Sequence, residues 1–174
     1  MLHIRIACMD DFDNVREFYY TVIDGLKDAE YSPDWKKDIY PTQEYLAESI
    51  RKGELYVGET DGKIVSCMVV NHEYNEGFGK INWSVDARDG ELYVVHILGV
   101  LSEYSGRGIA TQMVQRVIET ARENGIKTIR LDVLDGNLPA EKTYVKSGFK
   151  YVDTIDMFYE NEGWLKSRMF EYII

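Results

Sequence analysis

The sequence lacks the features that mark secreted, membrane-spanning and metal-binding proteins. Its two cysteines, Cys8 and Cys67, are far apart and have no metal-ligand spacing. Both stand in apolar, strand-like stretches, so we expect buried, reduced thiols. The amino terminus, MLHIRIACMDD, has neither the basic start nor the long apolar run of a signal peptide, and the longest apolar run, LYVVHILGVL, is too short to span a membrane. We therefore expect a cytoplasmic protein without a metal site.

An excess of positive charge is also missing. Lysine and arginine total 20 against 30 aspartate and glutamate residues, which gives a net charge of -10. Such a surface repels phosphate backbones, so nucleic-acid binding is excluded as a function class. A cationic small molecule or a basic peptide is the partner that this charge favours, although acidity also serves solubility alone.

Repeats, linkers and low-complexity tracts are absent, and 174 residues suit one domain over residues 1–174. Hydrophobic periodicity predicts the order β-α-α-β-β-β-α-β-α-β-β, a mixed α/β domain with a largely antiparallel sheet. The first helix is expected to begin at Asp10 or Asp11 and to stop at Gly25. An Asp61-Gly62 turn predicts a hairpin, and the last two strands are expected to form an antiparallel pair.

Two glycines, Gly106 and Gly108, stand where an apolar helical pattern begins, after the strand ELYVVHILGV. The first amides of a helix have no partner in the helix and lie at the positive end of its dipole. Without a Cβ, these amides can touch an anion directly, so the segment predicts a phosphate-binding loop. A purely structural turn is the alternative for such a pair of glycines.

Two familiar phosphate-binding motifs fit poorly. A Walker loop needs Lys-Ser or Lys-Thr after its last glycine, and here Ile109 and Ala110 follow Gly108. A dinucleotide fingerprint needs a third glycine and an early place in a parallel series of strands, and this segment follows a hairpin past the middle of the chain.

A second segment, NLPAEKTYVKSGF, places Asn137, Ala140, Tyr144, Gly148 and Phe149 at fixed intervals. Asn137 and Tyr144 are two helical turns apart and share one face. Together with GVLSEYSGRGIA, this segment strongly resembles the GNAT superfamily of acetyl-CoA-dependent N-acetyltransferases, in a single-domain, bacterial-type form. The likeness covers nearly the whole chain in element order and is sharpest from Leu98 to Phe149.

The resemblance implies the GNAT fold, with splayed central strands and a site for coenzyme A. The pyrophosphate contacts would come from the segment Ser105, Gly106, Arg107, Gly108, Ile109, Ala110 and Thr111. The pantetheine arm would lie along Leu98 and Val100, with Gly99 marking a bulge, and beside Asn137 and Ala140. The family usually has Gln or Arg one or two places before the first glycine, where this sequence has Ser105 and Tyr104. Arg107 either supplies charge near the phosphates or lies in solvent.

The resemblance also implies direct attack of an amine on the thioester, with Tyr144 as the general acid for the leaving thiolate. Tyr144 could alternatively only pack against the cofactor. His96 and Glu91 are the candidate bases for the acceptor's proton, His72 is a weaker one, and ordered water could serve instead.

The acceptor is expected to be a small-molecule or peptide amine, and a homodimer is possible. By family architecture its pocket is lined with aromatic side chains that include Tyr19, Tyr159 and Trp164, and acidic neighbours such as Asp24, Asp28, Glu30 and Asp34 could attract a cation. A non-catalytic acyl-CoA-binding sensor is the alternative function. A dinucleotide-binding protein is a third one, which the missing third glycine and the Asn137–Tyr144 pair disfavour.

Overall fold

The strands and helices follow one another in the predicted order in a computed structural model, which describes residues 1–27, 29, 31, 33, 35–160 and 162–174. The strands are β1 (His3–Ile6), β2 (Leu55–Thr60), β3 (Lys63–Asn71), β4 (Leu92–Val100), β5 (Thr128–Leu134), β6 (Lys150–Tyr159) and β7 (Gly163–Ile173). The helices are α1 (Phe12–Leu26), α2 (Gln43–Arg51), α3 (Ile109–Glu123) and α4 (Leu138–Lys146). The predicted mixed α/β class is confirmed.

The seven strands are hydrogen-bonded in the order β1-β2-β3-β4-β5-β7-β6. Neighbouring pairs are antiparallel for β1-β2, β2-β3, β5-β7 and β6-β7, and parallel for β4-β5. The parallel ladder joins Leu92–Val94 to Thr128–Arg130, at the first residues of both strands. The predicted closing pair is confirmed as β6 and β7.

The chain divides into two compact units, each built from two segments. The first unit combines Met1–Val70 with His96–Met113, and the second combines Asn71–Val95 with Val114–Ile174. Within the described residues of both units, no helix is long and apolar enough to cross a membrane, and no group of three or more His, Cys, Asp or Glu side chains is placed to hold a metal ion.

The first unit has a core formed by one face of α1, one face of α2 and the strands beside them. The side chains of Val15, Phe18 and Tyr19 lie at helical spacing and are all buried. Leu46 and Ile50, four residues apart on α2, complete the helical side of this core. Cys67, on β3, is fully buried among them, as predicted, and burial raises the pKa of its thiol well above the ordinary value.

The beginning of α1 differs from the prediction. Met9–Asp11 form a short 3-10 turn, and the Asp11 side chain makes no cap bond to α1. Its carboxylate instead accepts hydrogen bonds from Arg5, at 2.7 and 2.8 Å, and from the Cys8 amide at 2.8 Å. The hydrogen bonds from Arg5 hold the pKa of Asp11 well below its usual range.

Two further expectations on this segment are wrong. Cys8 is exposed, because β1 ends at Ile6 and the chain turns away from the sheet there. The helix also passes through Gly25 and ends one residue later, at Leu26. A glycine in a helix costs about 1 kcal/mol relative to alanine, which the buried face of α1 can offset.

The second unit contains a buried ion pair beside its core of Phe78, Leu92, Met157 and other apolar side chains. Arg130 on β5 and Glu171 on β7 are register partners and are only 6% and 2% exposed. Glu171 accepts hydrogen bonds from Arg130 Nε at 3.2 Å, from Thr128 Oγ1 at 3.2 Å and from the Ser84 amide at 2.8 Å. The guanidinium also lies over the Trp83 ring, 4.5 Å from its centroid.

This network predicts that Glu171→Gln strongly destabilises the protein. The substitution keeps the shape of the side chain and leaves the Arg130 charge uncompensated in the interior, which costs about 3–5 kcal/mol. The free energy of unfolding measured in urea is the test. The control is Glu48→Gln, which breaks the exposed pair of Glu48 with Arg51 on α2 and should change that free energy by less than about 0.5 kcal/mol. Equal effects of the two substitutions would contradict this account.

Candidate active site

The glycine segment between β4 and α3 is a tight loop in the first unit. The Leu101 amide donates to the Val65 carbonyl at 3.0 Å, which fixes the end of β4 beside β3. The turn Ser102–Tyr104 follows, closed by the Ser105 amide, which donates to the Ser102 carbonyl at 3.0 Å. The chain then enters α3, where the first regular bond runs from the Gln112 amide to the Gly108 carbonyl at 3.1 Å.

The backbone of this loop needs its two glycines for their conformation. Gly106 and Gly108 have φ angles of +74° and +75°, the left-handed region that L-residues avoid. A Cβ added at either position would meet no atom within 4 Å, so the requirement comes from the backbone angle and not from crowding. The loop therefore carries two open, exposed backbone positions.

The amides of Gly106–Thr111 are the polar groups that this loop presents. Among the residues that the structure describes, none of these six amides donates a hydrogen bond to a backbone carbonyl. The amides of Ile109–Thr111 are those of the first turn of α3, at the positive end of the helix dipole. Such an arrangement suits an anion with several oxygens, as a pyrophosphate has.

The side chains beside the loop are held away from these amides by contacts of their own. Arg107 Nη2 donates to the Glu103 carbonyl at 2.9 Å, and the guanidinium lies 4.9 Å from the centroid of the Tyr104 ring. Lys63 forms an ion pair with the Glu103 carboxylate at 2.6 Å. Ser105 is exposed. Arg107 is thus engaged by Glu103 and Tyr104.

The backbone of β4 has an unusual conformation at Ile97, near the end of the strand. Ile97 has a φ of +46°, whereas Gly99 has no positive φ. The phenol of Tyr19, only 1% exposed, donates to the Ile97 carbonyl at 2.9 Å. Gly99 is buried, and a Cβ there would lie 3.5 Å from the rings of Phe18 and Trp35. A β-branched residue thus holds the left-handed position because a buried tyrosine fixes its carbonyl.

The other β4 residues named from the sequence lie close to Ile97 in the strand. Leu98 and Val100 are half-buried, and His96, just before Ile97, is half-buried as well. Glu91, just before β4 and in the second unit, is tied to its neighbours. It accepts a hydrogen bond from the Arg88 amide at 3.0 Å and pairs with Lys127 at 2.8 Å, and these contacts lower the pKa of its carboxyl. His72 lies with Nδ1 2.7 Å from the Leu92 carbonyl.

Helix α4, in the second unit, begins as predicted. The Asn137 side chain accepts a hydrogen bond from the Ala140 amide at 3.3 Å, and Asn137 and Ala140 are half-buried. Tyr144 is 7% exposed and packs edge-on against Phe149, with ring centroids 5.6 Å apart. Burial, with a smaller contribution from the charge of Asp132, raises the pKa of the Tyr144 phenol well above its ordinary value.

Sequence reasoning missed Asp132, which lies at the centre of a polar cluster in the second unit. Its Oδ2 accepts a hydrogen bond from the Tyr159 phenol at 2.6 Å, and that phenol lies 2.7 Å from Ser167 Oγ. The alternation of apolar residues in TIRLDVL could have indicated Asp132, because Ile129, Leu131 and Val133 share one face of the strand and leave Asp132 on the other.

The acidic residues Asp28, Glu30 and Asp34, also named from the sequence, lie outside the described residues.

A family model matches most of the chain, including the glycine loop. The model of the acetyltransferase (GNAT) family matches residues 15–149. The chain belongs to this family. The resemblance found in the sequence is thereby confirmed, together with the class of enzyme, an acyltransferase. Members of the family take their acetyl group from acetyl-CoA.

Two relatives show how far the likeness extends along the chain. An uncharacterized N-acetyltransferase of Methanocaldococcus jannaschii is 25% identical over 164 residues, which are 94% of this chain and 64% of that protein. A thialysine N-epsilon-acetyltransferase of Mus musculus is 30% identical over 111 residues, 64% of this chain and 56% of that protein. The chain thus spans less than two thirds of the length of both relatives.

Solved structures support the same fold. A GNAT-family acetyltransferase from Streptococcus agalactiae superposes with a TM-score of 0.82 at 19% identity, over 99% of this chain and 95% of that one. The acetyltransferase yncA from Salmonella typhimurium, solved with its cofactor acetyl-CoA, gives a TM-score of 0.70 at 17% identity, over 99% and 93% of the two chains. At these identities the likeness establishes the fold.

The hydrogen bond from the Tyr19 phenol to the Ile97 carbonyl predicts that Tyr19→Phe destabilises the first unit. Loss of the phenol leaves the buried Ile97 carbonyl without this donor, at a cost of about 1–3 kcal/mol. Urea unfolding monitored by circular dichroism is the measurement. Tyr20→Phe is the matched control, because Tyr20 is the next residue of α1 and its hydroxyl bonds to the exposed Asp38. It should leave the free energy of unfolding nearly unchanged, and a loss as large as that of Tyr19→Phe would contradict the role of the Ile97 bond.

Proposed function

We propose that this protein transfers an acetyl group from acetyl-CoA to a primary amine, by direct attack of the amine nitrogen and without a covalent enzyme intermediate. The observation that carries the proposal is the set of six backbone amides, Gly106–Thr111, which donate to no backbone carbonyl in the described part of the chain. Their place at the start of α3 suits a diphosphate. Neither cysteine is a suitable nucleophile, since burial raises the pKa of Cys67 and Cys8 lies outside both motifs.

The residues of the loop fit coenzyme A. The amides of Gly106–Thr111 would hold the pyrophosphate, and the backbone of Leu98 and Val100 would bind the peptide-like pantetheine arm. Asn137 and Ala140 would lie beside that arm. Ser105 replaces the family's usual Gln or Arg, and Arg107 is held by Glu103, so we assign the phosphate charge to backbone donors. When bound, acetyl-CoA supplies the acetyl group as a thioester.

Tyr144 is the proposed general acid. Burial keeps its phenol protonated at neutral pH, so the group has a proton to donate when the carbon–sulfur bond breaks and the thiolate leaves. The same burial makes the phenol a weaker acid. A site without water also makes the leaving thiolate more basic, and this offsets the weaker acidity of the phenol. The phenolate then recovers a proton from the acetylated nitrogen through water. The net reaction forms the amide and the free thiol and releases one proton from the acceptor's ammonium.

The proton acceptor for that ammonium is not Glu91 in this proposal. The Arg88 amide and Lys127 stabilise its ionised form and make it a weaker base. The remaining side-chain candidates are His96, on β4 beside Ile97, and the weaker candidate His72, and ordered water is the alternative.

The proposed acceptor class is a primary amine that carries positive charge. The net charge of -10 attracts cations, and the mouse relative is a thialysine N-epsilon-acetyltransferase. Both a small molecule and a peptide amino terminus satisfy this class. A non-catalytic acyl-CoA sensor would use the same loop and would bind acetyl-CoA without turnover.

Gly108→Trp is expected to abolish acetyl-CoA binding, because the indole would fill the open space over the amides. Calorimetric titration with acetyl-CoA, and with NAD as a comparison ligand, measures the effect. Gly125→Trp is the matched control: Gly125 follows the far end of the same helix, also has a left-handed φ, +68°, and also faces open space. Binding that survives in Gly108→Trp, or that is lost in both variants, would remove the loop from the site.

Tyr144→Phe is expected to lower kcat by about a hundredfold or more, the contribution typical of a general acid, with little change in the Kd for acetyl-CoA. Thiol release with a panel of amines, alongside the same calorimetry, separates these two quantities. Tyr151→Phe, which alters an exposed phenol on β6, is the control. An unchanged kcat would exclude Tyr144 as the acid, and binding without turnover on any amine by the unmodified protein would favour the sensor.

A further inference from the structure

Ile97 holds a backbone conformation that a β-branched residue adopts only under constraint. Its φ of +46° lies in the left-handed region, and the residue is buried in the core of the first unit. Strained residues of this kind occur preferentially at functional sites, where the surrounding structure maintains them. Ile97 directly precedes Leu98, whose backbone the proposed function places beside the cofactor. The strain therefore lies one residue away from the proposed chemistry.

The phenol of Tyr19 is the group that holds this conformation. It donates from α1 to the Ile97 carbonyl at 2.9 Å and is only 1% exposed. The Tyr19 ring packs edge-on against Phe18, with centroids 5.1 Å apart, and against Trp35 at 5.8 Å. Burial raises the pKa of the phenol well above its ordinary value, so the group stays a protonated donor. Tyr19 is too buried to touch an acceptor itself, so any effect that it has on catalysis passes through Ile97.

The carbonyl that Tyr19 holds shares one planar peptide group with the Leu98 amide, and the two point in opposite directions. A hydrogen bond that fixes the carbonyl therefore fixes the direction of the Leu98 N–H as well. The register of β4 indicates that direction. The Leu101 amide, directly after β4, donates to the Val65 carbonyl on β3, and N–H groups alternate between the two edges of a strand. The Leu98 N–H, three residues earlier, thus points to the edge away from β3.

The edge of β4 away from β3 is the edge that the proposed function uses. The ladder of β4 with β5 runs from Leu92 to Val94, four residues before Leu98. By the same alternation, Leu98 and Val100 both direct N–H and C=O groups to this edge, and we have placed the pantetheine arm along them. The thioester ends that arm, so the Leu98 amide is the donor that this placement offers to the thioester oxygen. Hydrogen bonds in series strengthen one another, so the bond from Tyr19 makes this amide a better donor.

We propose that Tyr19 is a positioning residue for acetyl transfer, because it fixes the Leu98 amide as a hydrogen-bond donor to the thioester oxygen. This inference rests on the proposed function. As the amine nitrogen bonds to the carbonyl carbon, an electron pair of the C=O bond moves onto the oxygen, and the Leu98 amide stabilises that charge. The amide keeps its proton, and the electron pair returns when the carbon–sulfur bond breaks. A donor that is already oriented needs no rearrangement during the reaction.

The kinetic test is Tyr19→Phe, which removes the donor to Ile97 and keeps the ring, with thialysine, spermidine and a tetrapeptide with a free amino terminus as amines. We expect kcat to fall by about tenfold, less than the roughly hundredfold or greater cost of removing such a donor altogether. The Kd for acetyl-CoA and the KM for the amine should change little, because the charge on oxygen develops only in the transition state. Circular dichroism before each assay establishes that the variant is folded.

Tyr20→Phe is the matched control for this test. It removes the hydroxyl of the next residue on α1, whose partner is the exposed Asp38, and it should leave kcat unchanged.

A spectroscopic measurement separates positioning from a loss of stability. Infrared difference spectra of acetyl-CoA that is isotope-labelled at the thioester carbonyl report the hydrogen bond to that oxygen. We expect the carbonyl band to move to lower frequency when acetyl-CoA binds the unmodified protein, and to return part of the way in Tyr19→Phe. A variant that is folded but less stable would not move this band. If Tyr19→Phe does not fold, a band that fails to shift in the unmodified protein still overturns the proposal.

The outcomes for Tyr19 and for the proposed function are distinct. An unchanged kcat with an unmoved carbonyl band in Tyr19→Phe, or an equal loss of kcat in Tyr20→Phe, would overturn the role of Tyr19 and leave acetyl transfer in place. A loss of affinity for acetyl-CoA as large as the loss of kcat would overturn it as well, because the variant would then have disturbed binding. If the unmodified protein binds acetyl-CoA but acetylates none of the amines, acetyl transfer to this class of amine fails and the role of Tyr19 fails with it.

Discussion

Six backbone amides, those of Gly106–Thr111, lie just before and in the first turn of α3 and donate to no backbone carbonyl in the described part of the chain. Exposed amides of this kind are normally satisfied by water or by an anion. Two glycines in the left-handed region and a turn tied to the end of β4 hold them in one place, at the positive end of a fifteen-residue helix. The candidate site depends on this constraint, because it fixes where an anion can be stabilised in an otherwise acidic protein.

The arginine side chains near the candidate residues already have partners within the protein. Three arginines near the candidate residues are already engaged: Arg107 with the Glu103 carbonyl, Arg130 with Glu171 and Arg168 with Glu141. The phosphates of a cofactor would therefore be met by backbone dipoles, which cost little reorganisation because the helix already orients them. The Asp132 carboxylate accepts a hydrogen bond from the Tyr159 phenol.

Much of the fold was predictable because its signals are local. The order of strands and helices, the Asp61-Gly62 hairpin and the Asn137 cap follow from periodicity and from turn and cap chemistry, which act within a few residues. The errors arose where a distant residue overrode the local signal. Gly25 did not end α1, whose buried face continues to Leu26, and Asp11 bonded to Arg5 instead of capping the helix. Nothing local predicts the left-handed φ of Ile97, because the Tyr19 phenol that holds its carbonyl is 78 residues away in sequence.

The sequence by itself determined the family, the element order and the loop of Gly106 and Gly108, because glycine spacing and helical periodicity are written in consecutive residues. Only the tertiary structure decided which polar side chains form hydrogen bonds or ion pairs with one another. It tied Glu91 to Lys127, buried Tyr144 beside Phe149 and joined Asp132 on β5 to Tyr159 on β6, although β7 lies between these strands. Burial and charge pairing depend on which strands become neighbours, and that contact is made between residues far apart in the chain.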